Sequence, residues 1–225
     1  MMLVKNEAKR YLKQVLTHIS NYADEIVILD DNSTDKTYEV CRSFEKVVSL
    51  QKVKGTSFGE NEAAPRYQLF LQTMKTNPEW IIALDADEQM ENAFEPAIHN
   101  ILERAGDKKW FSIEFYHFWN SMQYYRTDKL WKPAQGPRIF KVEDDIRYEW
   151  LDRKLHCGSI PRNLTKYPGT YSGYRVKHFG YADGPERTKK KYEWYIKRDP
   201  NSEMCPRSHY DSMLDEHPVL KEWVE

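Results

Sequence analysis

The sequence predicts an α/β fold: a three-layer sandwich with helices on both faces of a mainly parallel central sheet, followed by a helical C-terminal extension. Two observations carry this. Through the first 90 residues, short apolar runs rich in β-branched residues alternate with segments whose apolar residues recur at helical spacing. Two of those runs also end abruptly on acids, in EIVILDDNSTDKT and EWIIALDADEQM. Ligands of parallel sheets gather at the carboxyl ends of the strands, where both acid clusters fall.

In order, residues 2–4 form the remainder of a first strand, and Leu12, Val15, Leu16 and Ile19 give one helical stripe. Residues 26–29 are an unbroken apolar run, the pattern of a strand covered on both faces. A turn and a helix from about Thr34 follow, with Ser33 as the expected cap. Residues 47–53 read as a strand, KGTSFGEN as a loop, and residues 62–75 as a helix that tolerates Pro65 in its first turn. Residues 80–84 are the next strand.

Beyond residue 110 aromatic residues are dense, and WFSIEFYHFW, PRIFKV, IRYEW and residues 174–179 read as strands. Gly136 and Pro137 mark a turn. GPERTKKKYEWYIKRDP reads as a charged helix with a solvated face, and residues 208–225 as weakly helical with a break at Pro218. This gives one domain over 1–200, with a ligand-binding half at about 1–90 and a second half at about 91–180, and a tail over 201–225.

The chain has 225 residues and a formal net charge of −1, so no overall field favours nucleic acid or membrane. Cys41, Cys157 and Cys205 are scattered, which suits free thiols in a reducing compartment. No apolar run approaches the roughly 20 residues that span a bilayer, so no transmembrane segment is expected. Charge at Lys5 interrupts any leader, and a cytoplasmic location is the expectation. The two glycosylation sequons, at Asn32 and Asn163, are then coincidental.

Side chains two apart in an extended segment share a side, so Asp85 and Asp87 can converge while Ala86 packs elsewhere. Hard oxygen ligands so placed suit Mg²⁺ or Mn²⁺; a solvated acidic turn is the plainer alternative. No GxGxxG or Walker-type sequence is present, which argues against dinucleotide oxidoreductases and P-loop ATPases. A calcium loop from Asp30 fails because its twelfth position is Cys41.

Together, VKNEAKRYL, EIVILDDNSTDKT and EWIIALDADEQM resemble family 2 glycosyltransferases of the GT-A fold, in a subset found in bacteria and large DNA viruses. GENEAAPRYQ, PRIFKVEDDIRYEW and VKHFGYADGPERTKKK add further matches in the right order, to about Arg198. The resemblance implies a metal-dependent, inverting transfer of a sugar from a nucleotide diphosphate, with UDP expected, to a hydroxyl on a glycan, glycoprotein or lipid. The location becomes the host cytoplasm if the source is viral.

Carried over by position, Asn6, Glu7, Asp30, Asp31, Lys54, Arg66 and Asp85 face the donor. Asp85, Asp87 and His178 hold a divalent metal, Mn²⁺ or Mg²⁺. The family often shows Arg-Val-His-Glu after its second-half strand; here the stretch is EWLDRKLHC, and Cys157 stands where the glutamate would be. Asp152 is the first expectation for the general base, then Glu149, with His156 orienting a substrate. Either acid has an ion pair with Arg153 or Lys154 as its plainer role. The non-enzyme alternative is a carbohydrate- or nucleotide-sugar-binding module that kept this fold and lost its chemistry. Tyr116, Trp119, Tyr124, Tyr125 and Trp131 are candidates for an acceptor cleft, with core packing the commoner role.

Overall fold

The computed structural model describes residues 1–55, 60–153 and 155–225. Strands β1 (Met2–Val4), β2 (Ile26–Asp30) and β3 (Val47–Lys52) pair in parallel in that order. Helices α1 (Leu12–Ile19), α2 (Thr37–Arg42) and α3 (Ala63–Met74) connect them and lead onward. Every residue of β2 is buried, and alternation assigns its two faces. Ile26 and Ile28 pack with the α1 stripe of Leu12, Val15, Leu16 and Ile19. Val27 and Leu29 pack with Leu69 of α3. Those are the three layers.

The remaining strands are β4 (Trp80–Ile82), β5 (Glu88–Met90), β6 (Trp110–Trp119), β7 (Tyr124–Arg126), β8 (Ala134–Lys141), β9 (Gly169–Tyr181) and β10 (Leu220–Glu222). They run β4-β8-β6-β9-β5, with β7 and β10 continuing from β6. Only β6–β9 is parallel here, so the parallel character predicted for the whole sheet is concentrated in the first three strands. The two sheets meet at Met1. Its amino group donates to the Ile82 carbonyl at 2.7 Å, and Leu84 N–H donates to the Met1 carbonyl at 3.3 Å. These bonds set β1 beside the β4 segment and bring both carboxyl ends to one edge. Helices α4 (Ile98–Glu103), α5 (Pro185–Arg198) and α6 (Arg207–Asp211) complete the structure.

Three expectations are corrected. IRYEW is not a strand: residues 146–150 drape over α3, with Tyr148 and Trp150 packed on Phe70 at ring separations of 5.0 and 6.0 Å. The second helix starts at Thr37, where Asp35 Oδ1 rather than Ser33 accepts the backbone N–H, at 3.0 Å. The tail becomes extended at β10 because Trp223 inserts among Tyr116, Phe118 and Tyr125. Half of the KGTSFGEN loop, residues 56–59, lies outside the described residues. No helix among them is long and apolar enough to cross a membrane.

Candidate active site

The end of β1, the segment that joins β4 to β5, residues of β6 and β8, and the C-terminal end of β9 open onto one cavity of about 890 Å³, walled on one side by α5. Asp85, Ala86 and Asp87 lie between β4 and β5 and all three line the cavity; residues 86 and 87 form a turn rather than the extended segment expected, and the small Ala86 side chain also packs into the core. Asp85 Oδ1 accepts from Arg66 Nη1 at 3.2 Å, and its backbone N–H donates to Glu88 Oε2 at 3.1 Å. Arg138 in turn holds Glu88 through bonds of 3.0 and 3.2 Å. Burial pushes the Asp85 carboxyl up, but the Arg66 and Arg138 guanidiniums outweigh it and hold the group below the usual carboxylate range.

Asp87 is in the opposite position. Its Oδ2 is 3.8 Å from Arg10 Nη1 and its Oδ1 is 3.9 Å from His178 Nε2, both too long for a hydrogen bond. Burial therefore raises its pKa despite Lys191 and Arg10. It is a carboxylate short of positive charge.

His178 sits on β9, directly opposite His117 of β6, with Nδ1 to Nδ1 at 2.7 Å. Burial lowers the His178 pKa to about 3 and takes His117 well below its usual value. Both rings are neutral at pH 7, so one donates and the other accepts. Gly180 leaves room for them: a Cβ there would lie 2.6 Å from His178 Nε2 and 2.9 Å from Lys191 Nζ. The Lys191 ammonium instead donates to the Gly180 carbonyl at 3.2 Å.

A divalent ion fits the donor chemistry of Asp87 and His178, one hard oxygen and one neutral imidazole. Among the described residues, no three His, Cys, Asp or Glu side chains converge as a ready-made cage. Such an ion would take its other ligands from substrate oxygens and water, as Mg²⁺ commonly does at phosphate sites.

The other expected residues divide. Glu7 lines the cavity and holds Arg10 through bonds of 2.9 and 2.8 Å. Burial lifts the Glu7 carboxyl to about 7, with Arg10 opposing and the Asp87 charge assisting. Arg66 also lines the cavity, but its guanidinium is committed to Glu62, Asp85 and the Ser159 hydroxyl. His156 is on the wall, stacked on Tyr195 with ring centroids 5.4 Å apart.

Asn6, Asp30 and Asp31 brace the strand ends from outside the lining. Asn6 accepts from Thr34 N–H at 2.8 Å. Asp30 Oδ1 accepts from Ser33 N–H at 2.7 Å, and Asp30 Oδ2 is buried without a hydrogen-bond partner. Asp31 pairs with Lys5 at 3.1 Å. Both aspartates are fully buried, so neither presents a carboxylate to the cavity from its present position. Lys54 is exposed and off the lining. Glu149 pairs with the exposed Arg162 at 3.2 Å, and Asp152 is exposed; neither lines the cavity. Lys154 lies outside the described residues.

Arg10, His117, Glu88, Arg138 and Lys191 were missed by the sequence reading. For Lys191 the signal is the spacing of Arg187, Lys191, Trp194 and Arg198, which makes a single helical stripe inside a run that looks solvated. Of the aromatic candidates only Trp131 lines the cavity. Trp119 and Trp131 are core residues, with Arg126 over both rings.

The model of the Glycosyl transferase family 2 matches residues 1–180. The chain belongs to glycosyl transferase family 2. An uncharacterised glycosyltransferase of Rickettsia bellii is 26% identical over 113 residues, covering 50% of this chain and 35% of that protein. An uncharacterised protein of Mycobacterium tuberculosis is 23% identical over 231 residues, covering 96% of this chain and 56% of its own length. The chain thus spans little more than half of these relatives at most. Staphylococcus aureus TarS shares the fold with a TM-score of 0.52 and 14% identity, over 96% of this chain and 41% of TarS. The family match ends at residue 180, before α5, which walls the cavity.

Proposed function

We propose that this family 2 chain transfers a sugar from a nucleotide diphosphate, with UDP as the expected nucleotide, to a hydroxyl on a glycan, glycoprotein or lipid, with inversion and a divalent metal. One observation carries the reading: the undercompensated Asp87 carboxylate faces His178, Arg10 and Lys191 in a cavity large enough for a donor. Asp87 and His178 would hold the metal, while Lys191 and Arg10 offer positive charge to the diphosphate. When bound, Mg²⁺ or Mn²⁺ neutralises charge on the departing nucleoside diphosphate.

Proton removal from the acceptor falls to a group packed against Tyr195 of α5. His156 fits that role. Tyr210 OH gives its proton to Asp199 Oδ2 at 3.0 Å, so His156 Nε2, at 3.3 Å, must be the donor to the phenol oxygen. That tautomer leaves Nδ1 with a lone pair. His156 is exposed as a residue, but desolvation of its ring against Tyr195 and Tyr210 lowers its pKa, with Glu62 opposing, and keeps the ring neutral at pH 7.

The test is thermal shift with UDP and Mn²⁺, followed by UDP release from a panel of UDP-sugars with neutral and anionic saccharide acceptors. Stabilisation by UDP that needs Mn²⁺, together with turnover, supports the reading. Absence of any nucleoside diphosphate binding overturns it, and binding without turnover points to the non-enzymatic module.

A further inference from the structure

The basic side chains around the cavity fall into two sets. Lys5, Arg10, Arg66 and Arg138 come from the family-matched region, and Arg187 from the first turn of α5; each has a carboxylate within ion-pair distance. Lys190, Lys191 and Arg198 also line the cavity, and none has a carboxylate partner among the described residues. All three project from α5. Uncompensated cations gathered on one wall are a receptor for an anion.

Lys191 is the member beside Asp87, where the donor diphosphate is proposed to lie. Arg198 is seven residues further along the helix, about 10 Å at 1.5 Å per residue. A diphosphate held at Asp87 does not extend that far. Arg198 is half-buried and lies over the Trp194 ring, 4.1 Å from its centroid, so its guanidinium is oriented by packing. Next to it, Tyr195 stacks on His156 and Tyr210, with centroids 5.4 and 5.3 Å apart. A ring surface beside a fixed cation suits a saccharide carrying negative charge, since sugar faces pack on aromatic rings while a guanidinium takes a phosphate or carboxylate.

We propose that the C-terminal half of α5 is an acceptor subsite for an anionic saccharide, a sugar phosphate or a uronic acid. Arg198 holds the acid group and the Trp194–Tyr195 surface holds the ring, while Lys190, nearer the N-terminal end of the helix, adds positive charge to the same wall. This rests on the glycosyltransferase reading and specifies its acceptor. The fixed acid group would set which hydroxyl reaches His156, so acceptor choice resides in a helix beyond the family-matched region.

The test measures ligand-detected NMR binding of glucose 6-phosphate, glucuronic acid and neutral glucose to protein saturated with UDP and Mn²⁺, which removes the donor site from competition. At least one acid should bind tenfold or more tightly than glucose. The double variant Lys190→Ala, Arg198→Ala should lose that preference, and Arg198→Lys should restore part of it. The two acids distinguish phosphate from carboxylate as the group recognised. Equal binding of all three sugars, or a preference unchanged in the double variant, overturns the proposal. So does a tenfold loss of UDP affinity in that variant, which would assign the cations to the donor. If the wild type binds no UDP, the glycosyltransferase reading fails separately, and the preference for acid over glucose, with its loss in the double variant, still decides the subsite.

Discussion

His117 and His178 meet Nδ1 to Nδ1 at 2.7 Å across the parallel β6–β9 pair, and the second ring presents Nε2 to Asp87. Because both rings are neutral, one proton is shared between two nitrogens, and the choice of tautomer fixes what Nε2 can do. A lone pair on His178 Nε2 requires its Nδ1–H to donate to His117. Outer partners of this kind orient a ligating histidine, and losing one costs about 10–100-fold in metal affinity. His117→Leu should therefore raise the Mn²⁺ concentration for half-maximal activity by at least about tenfold, with little change in UDP affinity measured at saturating Mn²⁺.

The same pair predicts an acid limb in stability. The His178 pKa falls from 6.5 in the unfolded chain to about 3 in the folded one. Below about 6.5 the unfolded chain takes up a proton that the native state refuses, so stability present above that pH is lost as pH falls toward about 3. Replacing both partners by leucine removes the titration without leaving an unpaired group. Urea midpoints of His117→Leu, His178→Leu should decline less steeply across this window than those of the wild type. An identical slope would place the acid sensitivity elsewhere.

For Asp87 the sign is reversed. Its pKa is raised in the folded state, so its ionised form costs stability once pH passes the ordinary carboxylate value of 3.8. Asp87→Asn should be at least as thermally stable as the wild type at pH 7, yet should lose the stabilisation conferred by Mn²⁺ with UDP. Turnover should fall by roughly a hundredfold or more, the usual scale for removing one preorganised electrostatic contact. A variant that loses activity and melts early would instead mark Asp87 as structural.

The contrast between Asp87 and Lys191 explains how far the sequence could be read. The strand leading to the acids was legible because an apolar run that ends on acids is a local signal, and Asp85 and Asp87 both line the cavity, although a turn at residues 86 and 87 replaces the expected alternation. His117 was not legible. Its partner is 61 residues away, and the ladder between them has register shifts that no pattern in β6 reveals. Lys191 lies in a KKK run that resembles a solvated face; only the packing of α5 across the cavity turns one lysine of the three toward Asp87. Asp30 and Asp31 were placed correctly at a strand end, but burial there depends on Lys5 and Ser33 reaching over from neighbouring turns.

Gly180 tests whether the imidazole position matters. A methyl group would overlap His178 Nε2 at 2.6 Å and Lys191 Nζ at 2.9 Å. The lysine tip can swing away, but the ring is held by His117, so strain falls on the site. Gly180→Ala should cost about 1–3 kcal/mol, as overpacking does, and should lower turnover more than this stability loss explains. Activity measured well below the melting temperature separates the two.

Arg66 is expected to behave as a brace. Its guanidinium serves Glu62, Asp85 and Ser159 from a buried position. Arg66→Ala would strand two acids, a change that typically costs about 3–5 kcal/mol. Arg66→Lys should recover only part, because an ammonium cannot reproduce the fork that spans three oxygens. Urea denaturation of the three proteins gives the ranking; equal stabilities would mean that Arg66 is free to serve the donor diphosphate.

Variants at two locations, the cavity lining and the exposed loop outside it, test the assignment of the general base. Glu149 is half-exposed and paired with an exposed arginine, the kind of contact worth about 0–1 kcal/mol. Asp152 is exposed and outside the cavity lining. If proton removal belongs to His156, then Glu149→Gln and Asp152→Asn should each keep turnover within about twofold and stability within about 0.5 kcal/mol, as surface substitutions usually do. His156→Gln should lower turnover by about 10²–10⁴-fold, the range of general base catalysis, with donor affinity retained. Its pH profile supplies the second readout. Because desolvation of the ring lowers the His156 pKa, the ring stays in its proton-accepting form as pH falls below the ordinary histidine value. Turnover in the wild type should therefore persist below pH 6.5 until that group or the fold titrates. A hundredfold loss in Asp152→Asn, with His156→Gln active, would move the base to the loop and require that loop to close over the acceptor.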